Sequence, residues 1–252
     1  MDRLVSFILC TSNAQSTIKE TIDSLLNQTF EDFEILIVLN GVSDNTANII
    51  YEYDDCRIRI FESNIVQLNY NLNLALSKAN GKYVARIDSD DICMPERLEK
   101  QVGFLEANPS IDVLGSFVEI IDEYGETKGV LEYPVNHRDI ANKLLKSNPI
   151  CHPSVMMKRD IILNNNGYLG GMYAQDYDLW IRLISSGACF HNLDVPLLKY
   201  RVHSAQSKGN SLSYSCVSSY FFREFVHKGN LRFLMSSLYF LSKRIFLSKN
   251  KI

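Results

Sequence analysis

Apolar and polar positions along this chain change period several times, and each change marks an element. VSFIL, Val5 to Leu9, reads as a strand. Behind it, Ile18, Ile22, Leu25 and Leu26 fall on one side of a helix, with Thr17 and Glu20 at capping-box spacing ahead of the stripe. FEILIVL is a nearly unbroken apolar run, the pattern of a strand covered on both faces. Asn40 and Gly41 end it, and Asp44 or Asn45 is placed to cap a second helix through Tyr53. RIRIF gives a third strand, and residues 67–79 a helix with Gly81 as its C-terminal glycine. YVARI is a fourth strand, and Pro95 stands near the start of a helix reaching about Ala107. Strand and helix alternating at this spacing predict an α/β fold, a parallel sheet with helices on both faces.

The period loosens beyond residue 115. Strands are expected near 113–121 and 128–132, joined through Tyr124 and Gly125, and again near 154–158 and 197–202. Helices are expected near 138–146 and 175–186. No linker rich in Gly, Ser or Pro divides this half from the first, so residues 1–212 read as one domain. Residues 213–252 differ in character and read as a helical, basic tail. Residues 221–252 hold seven Lys/Arg against one acid, Glu224. Leu234, Leu238, Leu241 and Ile245 share a helical face, and Lys243, Arg244 and Lys249 form a basic cluster. That combination suits peripheral attachment to an anionic membrane surface. A helix packed on the domain, or a dimer contact, is the other reading.

Composition narrows the classes. The 252 residues are 46% hydrophobic and 22% charged, enough to bury a sizeable core, and the net charge of -3 leaves no chain-wide footprint for nucleic acid. Six scattered cysteines without a CxxC pair argue for reduced, mostly buried thiols in a cytoplasmic protein, not a disulfide framework or zinc site. The apolar run near the N-terminus is short and lacks a cleavage-site pattern, so it reads as a strand and not a signal peptide. No run reaches the roughly 18 to 20 apolar residues of a membrane span.

The chemistry concentrates in 86-RIDSDDICMPER-97. Three carboxylates, Asp88, Asp90 and Asp91, follow a strand end, where ligands of a doubly wound sheet collect. The D-x-D spacing lets Asp88 and Asp90 point the same way from an extended segment, and hard cations such as Mg²⁺ and Mn²⁺ take such oxygen ligands. A solvated turn or helix cap is the plainer reading of this segment alone. A nucleotidyltransferase would want a glycine-rich, basic loop after the first strand, and CTSNAQS has neither glycine nor lysine.

Taken together, VSFILCTSN, SLLNQTFEDFEILIVLNGVSDNT, ANGKYVARIDSDDICMPERLEKQ, AQDYDLWIRL and LLKYRVHSAQS resemble the family 2 glycosyltransferases, inverting sugar transferases of GT-A fold, over roughly residues 3 to 207. The resemblance implies that Asp90 is the principal ligand of a Mn²⁺ or Mg²⁺ ion and that Asp88 contacts the ribose or the metal. His203 matches a position that in some members reaches the metal or diphosphate. Asp176 matches the catalytic base, with Asp178 the competing acid, spaced to pair with Arg182 at i+4. Thr11, Asn40, Arg86 and Asp88 make up the implied nucleotide-sugar set, and His152 and Gln175 the acceptor side.

Three departures stand out. Asn40 replaces the acid that commonly binds the base, although a carboxamide still matches uracil. Ser12 replaces an aromatic stacking residue, and Gln175 stands where an acid often precedes the base. The implied reaction moves a hexose from a nucleotide sugar, UDP-Glc or UDP-Gal, to GlcNAc on a polyprenyl diphosphate. It makes a β-linkage in O-antigen or capsule synthesis at the inner face of the cell membrane. Asn40 and Ser12 also fit a degenerate, non-catalytic sugar-nucleotide binder; Asp88, Asp90 and Asp176 together argue against it.

Overall fold

The first strand, β1 (Val5–Thr11), pairs in parallel with β2 (Phe33–Asn40) and β4 (Tyr83–Ile87), and β3 (Ile58–Ser63) lies outside β2. Helices α1 (Ile18–Leu26), α2 (Thr46–Tyr51) and α3 (Leu68–Lys78) make the crossovers that parallel strands require. All eight residues of β2 are buried, as its unbroken apolar run predicts. The computed structural model describes residues 3–203 and 211–249. The Ser204–Ser207 end of the LLKYRVHSAQS motif lies outside them, as does the side chain of Lys249 in the basic cluster.

The second half makes the sheet mixed, as the loosened period beyond residue 115 leaves room for, while the first half is parallel as its spacing predicts. After β5 (Ile92–Cys93) and α4 (Arg97–Ala107) come β6 (Val113–Ile121), β7 (Thr127–Leu131), α5 (His137–Leu144), a 3-10 turn at His152–Ser154, and β8 (Met156–Lys158). Helix α6 (Arg159–Asn164), α7 (Gln175–Ser185) and β9 (Phe190–Arg201) follow. The strand order is β3-β2-β1-β4-β8-β6-β9-β5, with β7 on β6. Strand β8 runs antiparallel between β4 and β6, β5 antiparallel to β9, and only β6 and β9 pair in parallel here. The β6–β7 connection is a tight turn in which Asp122 Oδ1 accepts from the N–H groups of Tyr124 and Glu126, too short for a crossover.

Alternation along each strand feeds two cores. Phe7, Leu9, Ile35 and Ile37 pack against α1, α2 and α4. Ile8, Leu36 and Val38 belong to the other core, with α3, α5, α6 and α7. That second core also takes in Val217, Phe221, Phe233 and Phe240 from α8 (Ser211–Lys228) and α9 (Leu231–Lys249). These two helices form a hairpin turned at Gly229, whose φ of +67° suits glycine, and Tyr177 of α7 meets Phe221 and Phe240 edge-on. Among the described residues, no helix is long and apolar enough to cross a membrane.

Two local expectations are corrected. Thr17 and Glu20 form no capping box: the Thr17 hydroxyl donates to Ser89 O at 3.0 Å, and Glu20 accepts from Arg201 at 2.5 Å. Gly81 is not a helix-terminating glycine, because α3 ends in an extended residue, Ala79. Instead a Cβ at Gly81 would lie 2.6 Å from the backbone N of Ser6, so the residue is small because β1 passes against it. All six cysteines are free; Cys93 and Cys151 are buried, three others half-buried, and Cys56 is exposed.

Candidate active site

The acidic loop leaves β4 and turns tightly, with the Asp91 N–H reaching Asp88 O. Ligand oxygens of Asp88, Asp90 and Asp91 all lie within 4.8 Å of one another. Such crowding of like charge needs external support, and several elements supply it. Arg86, at the end of β4, donates to Asp88. From β9, the Arg201 N–H donates to Asp91 Oδ1 at 2.9 Å and the Arg201 Nε to the Asp90 carbonyl at 2.8 Å. Thr17, just before α1, and Thr21 within it donate to the carbonyls of Ser89 and Asp91. His203 Nε2 lies 3.0 Å from Asp90 Oδ2.

Burial raises the Asp90 pKa, and the Asp88 charge raises it further, with His203 acting in the opposite sense. Asp91 is pushed well above the usual carboxylate range, first by burial and then by the charges of Asp88 and Asp90. Its second oxygen is buried without a partner among the described residues. Three oxygen donors at this spacing, with Asp90 and Asp91 destabilised as bare anions, are a donor set that fits a hard divalent cation.

Asp88 and Asp90 form one wall of a cavity of about 640 Å³. Asp176 faces it from the first turn of α7, with Gln175 beside it. Ala174, just before them, is held in the left-handed region at φ 56°, an uncommon state for a residue with a Cβ and one that persists where neighbours enforce it. Asn148 Nδ2 donates to Asp176 Oδ2 at 2.7 Å. Burial raises the Asp176 pKa, with hydrogen bonds from the Tyr177 backbone and from Asn148 partly opposing it.

Asp178 is turned the other way. It is fully buried, ion-paired with Arg182 at 2.9 Å and with Arg223 of α8 at 2.8 Å, and does not line the cavity. His152 lines the cavity from the 3-10 turn, its Nε2 at 2.9 Å from the Tyr168 hydroxyl, and burial holds its pKa well below the usual value. Burial pushes the Cys10 and Cys151 thiols up to about 12, so neither is a thiolate nucleophile at neutral pH.

The expected nucleotide end lies at the neighbouring strand ends. Asn40 closes β2 with its Oδ1 buried and unpartnered, an acceptor without a donor among the described residues. Thr11 ends β1 and is buried, its hydroxyl only 3.4 Å from the next carbonyl. The loops beyond these strands are tied together: Asn13 Oδ1 accepts from the Ser43 N–H at 2.9 Å, and Gln15 Oε1 from the Asn45 N–H at 3.1 Å.

The sequence-predicted residues therefore divide. Arg86, Asp88, Asp90, His152, Gln175 and Asp176 share one cavity. His203 joins it only through Asp90, and Thr11 and Asn40 stand outside its lining. Sequence reasoning missed Asn148, four residues before His152, and Arg201, although the latter lies in the quoted segment LLKYRVHSAQS. It also missed Tyr214, Phe240 and Lys243, which carry the hairpin into the cavity wall. Lys243 is held there over the Tyr239 ring at 4.6 Å.

Residues 6–165 match the family described as Glycosyl transferase family 2. The chain is 36% identical over 247 residues to the Escherichia coli O-antigen biosynthesis glycosyltransferase WbnJ, covering 96% of each chain. It is 30% identical over 211 residues to the Escherichia coli UDP-Glc:alpha-D-GlcNAc-diphosphoundecaprenol beta-1,3-glucosyltransferase WfgD, covering 83% of this chain and 81% of that one. Among solved structures, it superposes on S. aureus TarS 1-349 in complex with UDP-GlcNAc with a TM-score of 0.72 at 18% identity. That match covers 88% of this chain and 65% of the TarS 1-349 chain, a likeness of fold, and the fold is GT-A.

Proposed function

Because this chain belongs to glycosyl transferase family 2, we propose that it transfers a hexose, with inversion, from UDP-Glc or UDP-Gal to a hydroxyl of GlcNAc on a polyprenyl diphosphate. The product is a β-linked disaccharide of O-antigen or capsule synthesis, made at the cytoplasmic face of the cell membrane. The observation that carries the reading is that Asp176 lines the same cavity as Asp88 and Asp90. The name of the Escherichia coli relative WbnJ supports the O-antigen setting, and that of WfgD the UDP-Glc donor and the lipid diphosphate acceptor.

Asp90 and Asp88, with His203 against Asp90, would hold a Mn²⁺ or Mg²⁺ ion whose charge offsets that of the departing diphosphate. Arg86 fixes Asp88 in place. The Asp176 carboxylate takes the proton of the acceptor hydroxyl as that oxygen attacks the anomeric carbon. Asn148 fixes one of its oxygens, and burial raises its affinity for the proton, as suits a general base. His152, neutral in its buried position, and Gln175 offer hydrogen bonds on the acceptor side. The unpartnered Asn40 Oδ1 is free to accept from uracil N3–H.

The test is a panel of UDP-, GDP- and dTDP-sugars with Mn²⁺ and a GlcNAc-diphosphate-lipid analogue, the product anomer being read by NMR. UDP-Glc or UDP-Gal should turn over to a β-linked product and stop in EDTA. An α-linked product, or undiminished turnover in EDTA, overturns the mechanism.

A further inference from the structure

Helix α9 is amphipathic in two senses. Phe233, Ser236, Ser237 and Phe240 are buried against the rest of the molecule. Opposite them, Leu231, Met235, Leu238, Leu241, Ile245 and Phe246 are 44 to 70% exposed. At the helical repeat of 3.6 residues these six occupy an arc of about 140° centred away from the buried side. The sequence face of Leu234, Leu238, Leu241 and Ile245 is thus widened: Met235 and Phe246 extend it, and Leu234, inside the same arc, is half-buried. An apolar arc this broad, on the outside of an already packed helix, is more than scattered surface hydrophobics.

Charge decides what covers it. Arg232, Lys243 and Arg244 border the arc, and α9 has no acidic residue. Glu224, the acid of α8, is buried and paired with Arg223. A second copy docking face to face would set like charges against one another, whereas an anionic surface meets both the arc and its borders. A helix with an apolar face and a basic rim lying flat in a lipid interface has this form. We propose that the exposed arc of α9 seats the protein on an anionic lipid bilayer, entering the acyl boundary while the basic rim contacts headgroup phosphates. The same hairpin lines the reaction cavity through Tyr214, Phe240 and Lys243, so seating α9 holds the cavity next to the bilayer. This goes beyond the proposed reaction and does not depend on its donor or acceptor.

The experiment is cosedimentation of the full chain with phosphatidylglycerol/phosphatidylethanolamine vesicles, beside phosphatidylcholine vesicles. The wild type should partition onto the anionic vesicles, and moving from 0.1 to about 1 M salt, which shortens the screening length from about 10 to 3 Å, should weaken binding several-fold. A Met235→Glu/Leu238→Glu/Phe246→Glu variant should lose at least about tenfold in partitioning, since three apolar side chains no longer enter the lipid. A Met235→Ser/Leu238→Ser/Phe246→Ser variant, without added charge, should also lose binding. All three side chains are exposed, so melting temperatures should match the wild type, as should turnover on a short water-soluble acceptor. Variants that bind like the wild type overturn the proposal. So does a wild-type dimer that the variants dissolve while vesicles capture none of the proteins. Vesicle binding by a protein inactive on every sugar donor would leave the proposal standing and sink the reaction instead.

Discussion

Asp176 and Asp178 are two residues apart, and their isosteric amides should have opposite effects. Asp178→Asn leaves two guanidiniums, Arg182 and Arg223, facing a neutral group. Removing one partner of a fully buried pair costs about 3 to 5 kcal/mol. The lower end applies here, because the Arg223 side chain is 34% exposed and solvent screens it. For a chain of this size each kcal/mol moves the melting temperature by about 2 to 4 °C, so a fall of about 6 to 12 °C is expected.

Asp176→Asn keeps the hydrogen bond from Asn148 and removes basicity, so kcat should drop about 10² to 10⁴-fold. Its stability effect has the other sign. Burial raises the Asp176 pKa, so the folded protein holds that proton more tightly than the unfolded chain does. At pH 7 the ionised carboxylate therefore opposes folding, and the amide should melt at the same temperature or higher. Thermal unfolding of ligand-free proteins and steady-state turnover test both halves. An inactive Asp178→Asn with a wild-type melting temperature, beside a fully active Asp176→Asn, would refute the assignment.

Three further outcomes are expected. Asp90→Ala should abolish turnover and also the rise in melting temperature that Mn²⁺ plus UDP gives the wild type, a rise equivalent to about 2.7 kcal/mol at 100 times Kd; a variant still stabilised by the pair would exclude Asp90 as a ligand. Asn40→Ala should raise the donor KM while kcat stays within a few fold, because a uracil group loses its partner; an unchanged KM removes Asn40 from the base site. For His152, burial depresses the folded pKa, so the unfolded chain takes up the proton first as pH falls through about 6.5 and stability is lost below that value. His152→Gln should flatten melting temperature against pH between 5 and 7, and an unaltered slope would contradict the buried neutral imidazole.

The parallel half of the fold was legible because its cues are local. An apolar run such as FEILIVL needs no partner to be recognised, and crossover spacing follows from it. The Asp178–Arg182 pair was legible from i,i+4 spacing, and the acidic loop from its position after YVARI. The mixed half was not. Strand β9 starts at Phe190, seven residues before the expected 197, through a stretch holding His191, Asn192, Asp194 and Pro196. What makes this polar stretch a strand is tertiary: the buried Asn192 donates to the carbonyls of Pro134 and Pro149. Thr17 and Glu20 had the spacing of a cap, but Thr17 is drawn to the Ser89 carbonyl of the acidic loop and Glu20 to Arg201, the arginine that clamps that loop. Arg201 carries no signal of its own, since a lone arginine at a strand end becomes a clamp only once the strand is placed.

That clamp has a consequence for the order of synthesis. Arg201 reaches Asp91 and Asp90 across 110 and 111 residues of chain, and His203 reaches Asp90 across 113. At ribosomal speeds of about 5 to 20 residues per second, the acidic loop waits about 6 to 22 s for Arg201 to be made. During that interval β1 to β4 can pair and Arg86 can hold Asp88, yet the Asp91 carboxylate lacks the amide, and the Asp90 carbonyl the guanidinium, that Arg201 brings. An incomplete chain released before Arg201 would carry the ends of β1 to β4 with Asp90 and Asp91 unclamped, so a prematurely terminated product should neither capture a cation at that loop nor compete with finished enzyme for the donor.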